Sequence, residues 1–119
     1  MERDKLLKKI DSFKDELINM RRHIHAHPEL SGLENQTAIL ISGYLKNIGG
    51  RVTESVGRTG VVADFGPKDK GFIGLRVDID ALPIYENTNL SFSSKIDGIM
   101  HACGPVSYTH LTLPTTPYV

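Results

Sequence analysis

The sequence predicts an α/β fold in which two helices precede about three strands. Three observations carry that expectation. Apolar residues recur at helical spacing over residues 2 to about 26, and again from 31 to about 48. The chain then alternates, or runs apolar, in short glycine-bounded segments between Arg51 and Val77. An acidic pair, Asp78 and Asp80, arrives where the last of these segments must end.

In the first helix Leu6, Ile10, Phe13, Leu17 and Ile24 define one stripe, and Lys, Asp and Glu fill the opposite face. Pro28 restricts the backbone of His27, so the helix is expected to stop there. His23, His25 and His27 stand at its end; on a helix His23 and His27 share a face and His25 points elsewhere. Spacing leaves two readings open, a metal site or a helix C-terminus that favours cationic side chains.

Ser31-Gly32-Leu33-Glu34 has the form of a capping box, with Ser31 as N-cap and Glu34 reaching back. The helix it opens should carry Thr37, Ile41, Tyr44 and Ile48 on one stripe, with Ala38 and Leu45 beside it. Gly49-Gly50 should end it, one of the two in the left-handed conformation. Arg51–Val56 alternates and reads as a strand exposed on one face; residues 61–65 read as a second, more buried strand, with Gly57 and Gly60 bracketing the turn. A polar connection, residues 66–71, leads to a third strand over residues 72–77. The following segment, residues 85–94, is polar and reads as an irregular loop at the rim of a site.

Composition removes several function classes. The 119 residues carry 14 basic and 14 acidic side chains, which gives no electrostatic case for nucleic acid or an anionic membrane. The charged start Met1-Glu2-Arg3-Asp4-Lys5 is not the pattern of a signal peptide, and no apolar run approaches the roughly 20 residues of a membrane span. A single cysteine excludes an internal disulfide and fits a reducing compartment, so the expectation is a cytoplasmic protein.

Pro83 cannot continue a regular ladder, so Asp78 and Asp80 are expected at the C-terminal mouth of a strand. Open α/β sheets bind ligands at such mouths. His101-Ala102-Cys103-Gly104 then adds softer potential metal ligands. The residues alone also allow plainer readings. Asp78 and Asp80 are equally turn-formers, and Cys103 is equally a small apolar side chain. A third possibility is a weak metal site, held by Asp78, Asp80 and Cys103, in a small α/β binding module.

Four blocks narrow these choices: Arg22-x-x-His25-x-x-Pro28-Glu29-Leu30-Ser31; Glu34-x-x-Thr37; residues 76–84, Arg-Val-Asp-Ile-Asp-Ala-Leu-Pro-Ile; and Met100-His101-Ala102-Cys103-Gly104. In this order and spacing the chain resembles the N-terminal part of the M20 metallopeptidase and amidohydrolase family. Its nearest branch is the hippurate hydrolase, N-acyl-amino-acid amidohydrolase and auxin-conjugate hydrolase group. The resemblance implies an incomplete catalytic α/β domain over residues 1–104, with a mixed, mostly parallel sheet. It also implies a smaller lid domain, absent here, through which the intact protein forms homo-oligomers. The implied activity is hydrolysis of the amide bond of small N-acyl amino acids or peptides, with two divalent ions (Zn, Mn, Co or Ni) in each active site. Cys103 matches a metal ligand of the family. Asp78, Asp80 and His101 fall at the site rim, with Asp80 in an orienting role, and His25, Pro28 and Glu29 belong to the family's N-terminal signature. The general-base glutamate and the other ligands match no position here, so no catalytic residue is retained and the chain is expected to be inactive. The resemblance does not separate amidohydrolase from amino- or dipeptidase.

The match breaks at Pro105, where the family has a metal-binding histidine. From Val106 the chain resembles instead the in-frame translation of GTC TCT TAT ACA CAT CTG ACG CTG CCG ACG, a transposase-end sequencing adapter. Residues 105–119 are therefore expected to be a non-native, disordered tail.

Overall fold

A computed structural model describes residues 2–69, 71 and 73–103. Its elements are α1 (Glu2–Ser12), α2 (Lys14–Ala26), α3 (Asn35–Asn47), β1 (Arg51–Val56) and β2 (Gly60–Asp64). The α/β class holds. The first predicted helix is divided in two at Phe13, whose N–H bonds the Ile10 carbonyl at 3.1 Å before Leu17 N–H resumes the helix on the Phe13 carbonyl at 3.0 Å. The three-residue bond tightens the turn. The predicted stripe exists, but no residue of α1 is buried. No packing therefore rewards one continuous helix.

α2 ends where Pro28 requires, with His27 outside the helical region at φ −126° and ψ 62°. The His27 ring donates from Nδ1 to the His23 carbonyl at 2.8 Å, and the two rings lie 4.5 Å apart. These two histidines share a face, as the spacing requires, and His27 serves as a C-terminal cap.

The capping box does not form. Residue 34 is the N-cap of α3 but makes no side-chain cap bond, and Ser31 lies in a turn before it. The orphan N–H groups of Gln36 and Thr37 are met by the Glu29 carboxylate at 3.1 and 2.8 Å. A turn closed by Leu33 N–H on the Leu30 carbonyl, with Gly32 at φ +79°, brings Glu29 under the helix start. Burial opposes ionisation of Glu29, but the N–H groups of Thr37 and Gln36 outweigh it and hold the carboxyl below its ordinary pKa. At the other end Gly49, at φ +88°, completes a Schellman motif: Gly50 N–H reaches the Leu45 carbonyl at 2.9 Å and Gly49 N–H the Lys46 carbonyl at 3.0 Å. Thr37 and Ser42 are buried on α3, whereas Ile48 is exposed and leaves the predicted stripe.

β1 and β2 form an antiparallel hairpin with Arg51 opposite Asp64, Thr53 opposite Val62 and Val56 opposite Gly60. The register shifts between Thr53 and Val56, and Ser55 there adopts φ +59°. α3 lies on the hairpin, with the Ser42 hydroxyl and the Lys46 ammonium both donating to Glu54.

The third predicted strand is not formed. Residues 73–77 form no strand, with Ile73 94%, Leu75 88% and Val77 66% exposed. An apolar run becomes a strand only when a neighbour takes its backbone groups, and the described residues offer none. Phe72 and the expected tail at residues 105–119 lie outside the described residues. The two-stranded sheet is antiparallel, and the parallel element is an isolated bridge, Leu30 with Ala81. There Ala81 N–H meets the Glu29 carbonyl at 2.7 Å, and Leu82 exchanges two bonds with Met100 at 2.9 and 3.0 Å. Pairing stops at Leu82, just before Pro83. Lys95 N–H bonds the Ala26 carbonyl at 2.9 Å. Among the described residues Ala26 and Ala81 are the buried apolar side chains, with Pro28 fully enclosed. The packed centre is this seam between residues 26–30 and 81–100.

Candidate active-site cleft

An open cleft of about 740 Å³ lies between two walls. Ser31, Glu34 and Thr59 stand on the α3–hairpin side. Residues 76–80, His101 and Cys103 form the other. The Leu82–Met100 pairing produces the second wall, because it sets the residues before Leu82 beside those after Met100. Asp78, Asp80, His101 and Cys103 are thus brought together. His25, Pro28 and Glu29 do not line the cleft; they support it from the seam.

Asp78 is exposed and accepts from Arg76 Nη2 at 3.0 Å. A pair this exposed contributes little to stability. Glu34 is buried, with the Thr59 hydroxyl donating to Oε2 at 2.7 Å. Burial opposes its ionisation, but that hydroxyl, local N–H groups and the Arg58 charge hold its pKa below the ordinary value. His101 is half-buried. Burial first, then the neighbouring His25, push its pKa down, against Asp80 and a backbone hydrogen bond with it. Its Nε2 is buried without a hydrogen-bond partner among the described residues. Cys103 is exposed.

Among the described residues no group of three or more His, Cys, Asp or Glu side chains is placed to hold a metal ion. Cys103 with its neighbours therefore does not amount to a divalent-metal centre, which needs several converging ligands.

Behind His101 lies a polar cluster that sequence reasoning missed. Glu86, assigned to a polar rim loop, is 4% exposed at its side chain and meets His25 Nε2 at 3.0 Å; His25 is 11% exposed. The same carboxylate accepts from the Thr88 hydroxyl and from Ser94 N–H at 2.6 Å. These donors, Thr88 first, then Ser94 and His25, lower its pKa to about 2. The available signal was a lone carboxylate in a run of uncharged donors, between Tyr85 and Ser94.

A pH dependence follows. The folded pKa of Glu86 lies below the unfolded value, so its contribution is complete above the unfolded pKa and is lost as pH falls from about 5 toward 2. Glu29 and Glu34 are lowered in the same sense. Amide protection of Ser94, measured across that window, should fall progressively in the parent chain and change less in Glu86→Gln. A flat profile for the parent would contradict the assignment.

No protein-family model matches the chain. Individual proteins do. A probable hydrolase of Synechocystis is 48% identical over 83% of this chain and 26% of its own length. Hippurate hydrolase of Campylobacter jejuni is 42% identical over 96% of this chain and 30% of its own. A solved structure from Bacillus subtilis, described as a dinuclear metal binding peptidase from the M20 family, superimposes with a TM-score of 0.72 at 47% identity. That match covers 79% of this chain and 27% of the other. The chain thus spans roughly a quarter to a third of the length of the proteins it matches.

Proposed function

We propose, since this chain belongs to the M20 family of metallopeptidases and amidohydrolases, that it is part of a metal-dependent hydrolase cleaving the amide bond of N-acyl amino acids. The observation that carries this reading is the gathering of Asp78, Asp80, His101 and Cys103 on one cleft wall. In the whole enzyme Cys103 is a ligand of a two-ion divalent centre. Asp78, Asp80 and His101 form the rim, with Asp80 in an orienting role beside His101. The centre supplies Lewis acidity and an activated water when complete; the described residues hold too few ligands for it, and this chain by itself is inactive.

The test has two parts. The purified 119-residue chain, dialysed against zinc or manganese, should retain far less than one ion per chain and should not hydrolyse N-acyl amino acids. The enzyme encoded by the full source locus should hydrolyse them and lose that activity to a chelator. Stoichiometric metal in the short chain, or chelator-insensitive hydrolysis by the long one, would refute the reading. A second reading, an M20 amino- or dipeptidase, is supported by the description of the Bacillus subtilis structure as a peptidase; dipeptides in the same assay discriminate the two.

The intact protein, in this proposal, forms homo-oligomers through a lid domain and works in the cytoplasm. No helix among the described residues is long and apolar enough to cross a membrane. Residues 105–119 are read as adapter-derived. The alignment with the Campylobacter protein runs past Gly104, since it covers 96% of the chain. Sequencing the source locus with a different library chemistry decides the point: His-Asp or a close variant after Gly104 supports the adapter reading, and the present tail sinks it.

A further inference from the structure

We propose that Glu86 is a positioning residue of the cleft, acting through His25 on His101. This rests on the cleft being the site of the proposed reaction, although its test does not use that reaction. A carboxylate only accepts hydrogen bonds. Glu86 accepts from three groups, the Thr88 hydroxyl, Ser94 N–H and His25. The proton in the His25 bond must therefore sit on His25 Nε2, which fixes the tautomer of the ring. The ring is also fixed in space. Phe92 meets it edge-on with centroids 5.7 Å apart, and the Arg22 guanidinium lies 4.9 Å from the other ring partner's centre, over Phe92. On its far side His25 faces His101, with centroids 6.3 Å apart and planes inclined by 38°.

His101 thereby has a fixed ring beside it. Asp80 neighbours His101 on the cleft wall, and the carboxylate-anchored His25 ring stands beside it with centroids 6.3 Å apart. What remains is Nε2, buried and without a partner among the described residues, on a side chain that lines the cleft. A buried ring nitrogen left without a partner carries a desolvation cost. A ring backed by the anchored His25 keeps that nitrogen in place for a donor group of the substrate. Glu86 thus bridges α2, the 86–94 loop and the cleft wall without touching the cleft.

The experiment is nitrogen NMR of the 119-residue chain with labelled histidine. In the parent chain, His25 should show a protonated Nε2. Glu86→Gln should keep that tautomer, because the amide oxygen still accepts. Glu86→Leu, similar in size but with no acceptor, should put His25 into exchange between tautomers and shift His101 Nε2 with it. A His25 with a bare Nε2 in the parent, or His25 and His101 nitrogens unmoved by Glu86→Leu, would overturn the proposal. If Glu86→Leu does not fold, Glu86→Gln decides: a retained tautomer supports the proposal and tautomer exchange at His25 overturns it. Because no turnover is measured, failure here is distinct from failure of the amidohydrolase reading.

Discussion

Gly60→Ala should open the hairpin. A methyl group on Gly60 would drive into the Val56 carbonyl oxygen, a backbone atom of the paired strand that cannot rotate aside. Relief requires the strands to part at the pair that closes the loop. Forced overpacking of this kind costs about 2 kcal/mol, roughly a thirtyfold loss of amide protection. The amides of Thr53 and Val62, within the ladder, report it by hydrogen exchange. Gly43→Ala is the control, since a methyl there meets nothing within 4 Å and the residue lies inside α3; it should stabilise the helix by about 0.5–1 kcal/mol. Unchanged protection in Gly60→Ala would mean that the loop is looser than its geometry.

The largest effect on behaviour in solution should come from Ile73→Lys combined with Leu75→Lys. Ile73, Leu75 and Val77 alternate in sequence through a segment that forms no strand, and all three present an exposed apolar face. An exposed apolar run with unpaired backbone groups templates association with other chains. Two lysines on that face should raise the soluble concentration several-fold and reduce light scattering, because charge on an open edge blocks pairing. The described packing places nothing against those side chains, so hydrogen exchange in β1 and β2 should be unaltered. Equal scattering by parent and variant would show that association uses another surface, such as the uncovered stripe of α1.

What the sequence reveals here depends on how local each determinant is. The ends of α2 and α3 were legible because Pro28 and Gly49 act on their own backbone, and the hairpin because Gly57 and Gly60 mark its turn. The capping of α3 was not legible. Ser31 and Glu34 have the right spacing, but a turn at residues 30–33 gives the task to Glu29, five positions before the N-cap. The third strand failed for a related reason: alternation defines which side chains share a face, not whether a partner strand exists. Among the cleft residues, motif order alone already set Asp78, Asp80, His101 and Cys103 side by side. Glu86 could not, because its burial depends on a contact 61 residues away in the chain.

Glu29 joins two of these results. Its carboxylate is fixed to the first turn of α3, and its carbonyl is fixed to Ala81, next to the wall that carries Asp80. The two sides of the cleft therefore share a single-residue joint, and its lever arm is one side chain long. Sliding of α3 along its axis would reach the acidic wall through the hydrogen bonds at the two ends of Glu29 and the few covalent bonds between them. The width of the cleft is in this sense geared to the position of one helix.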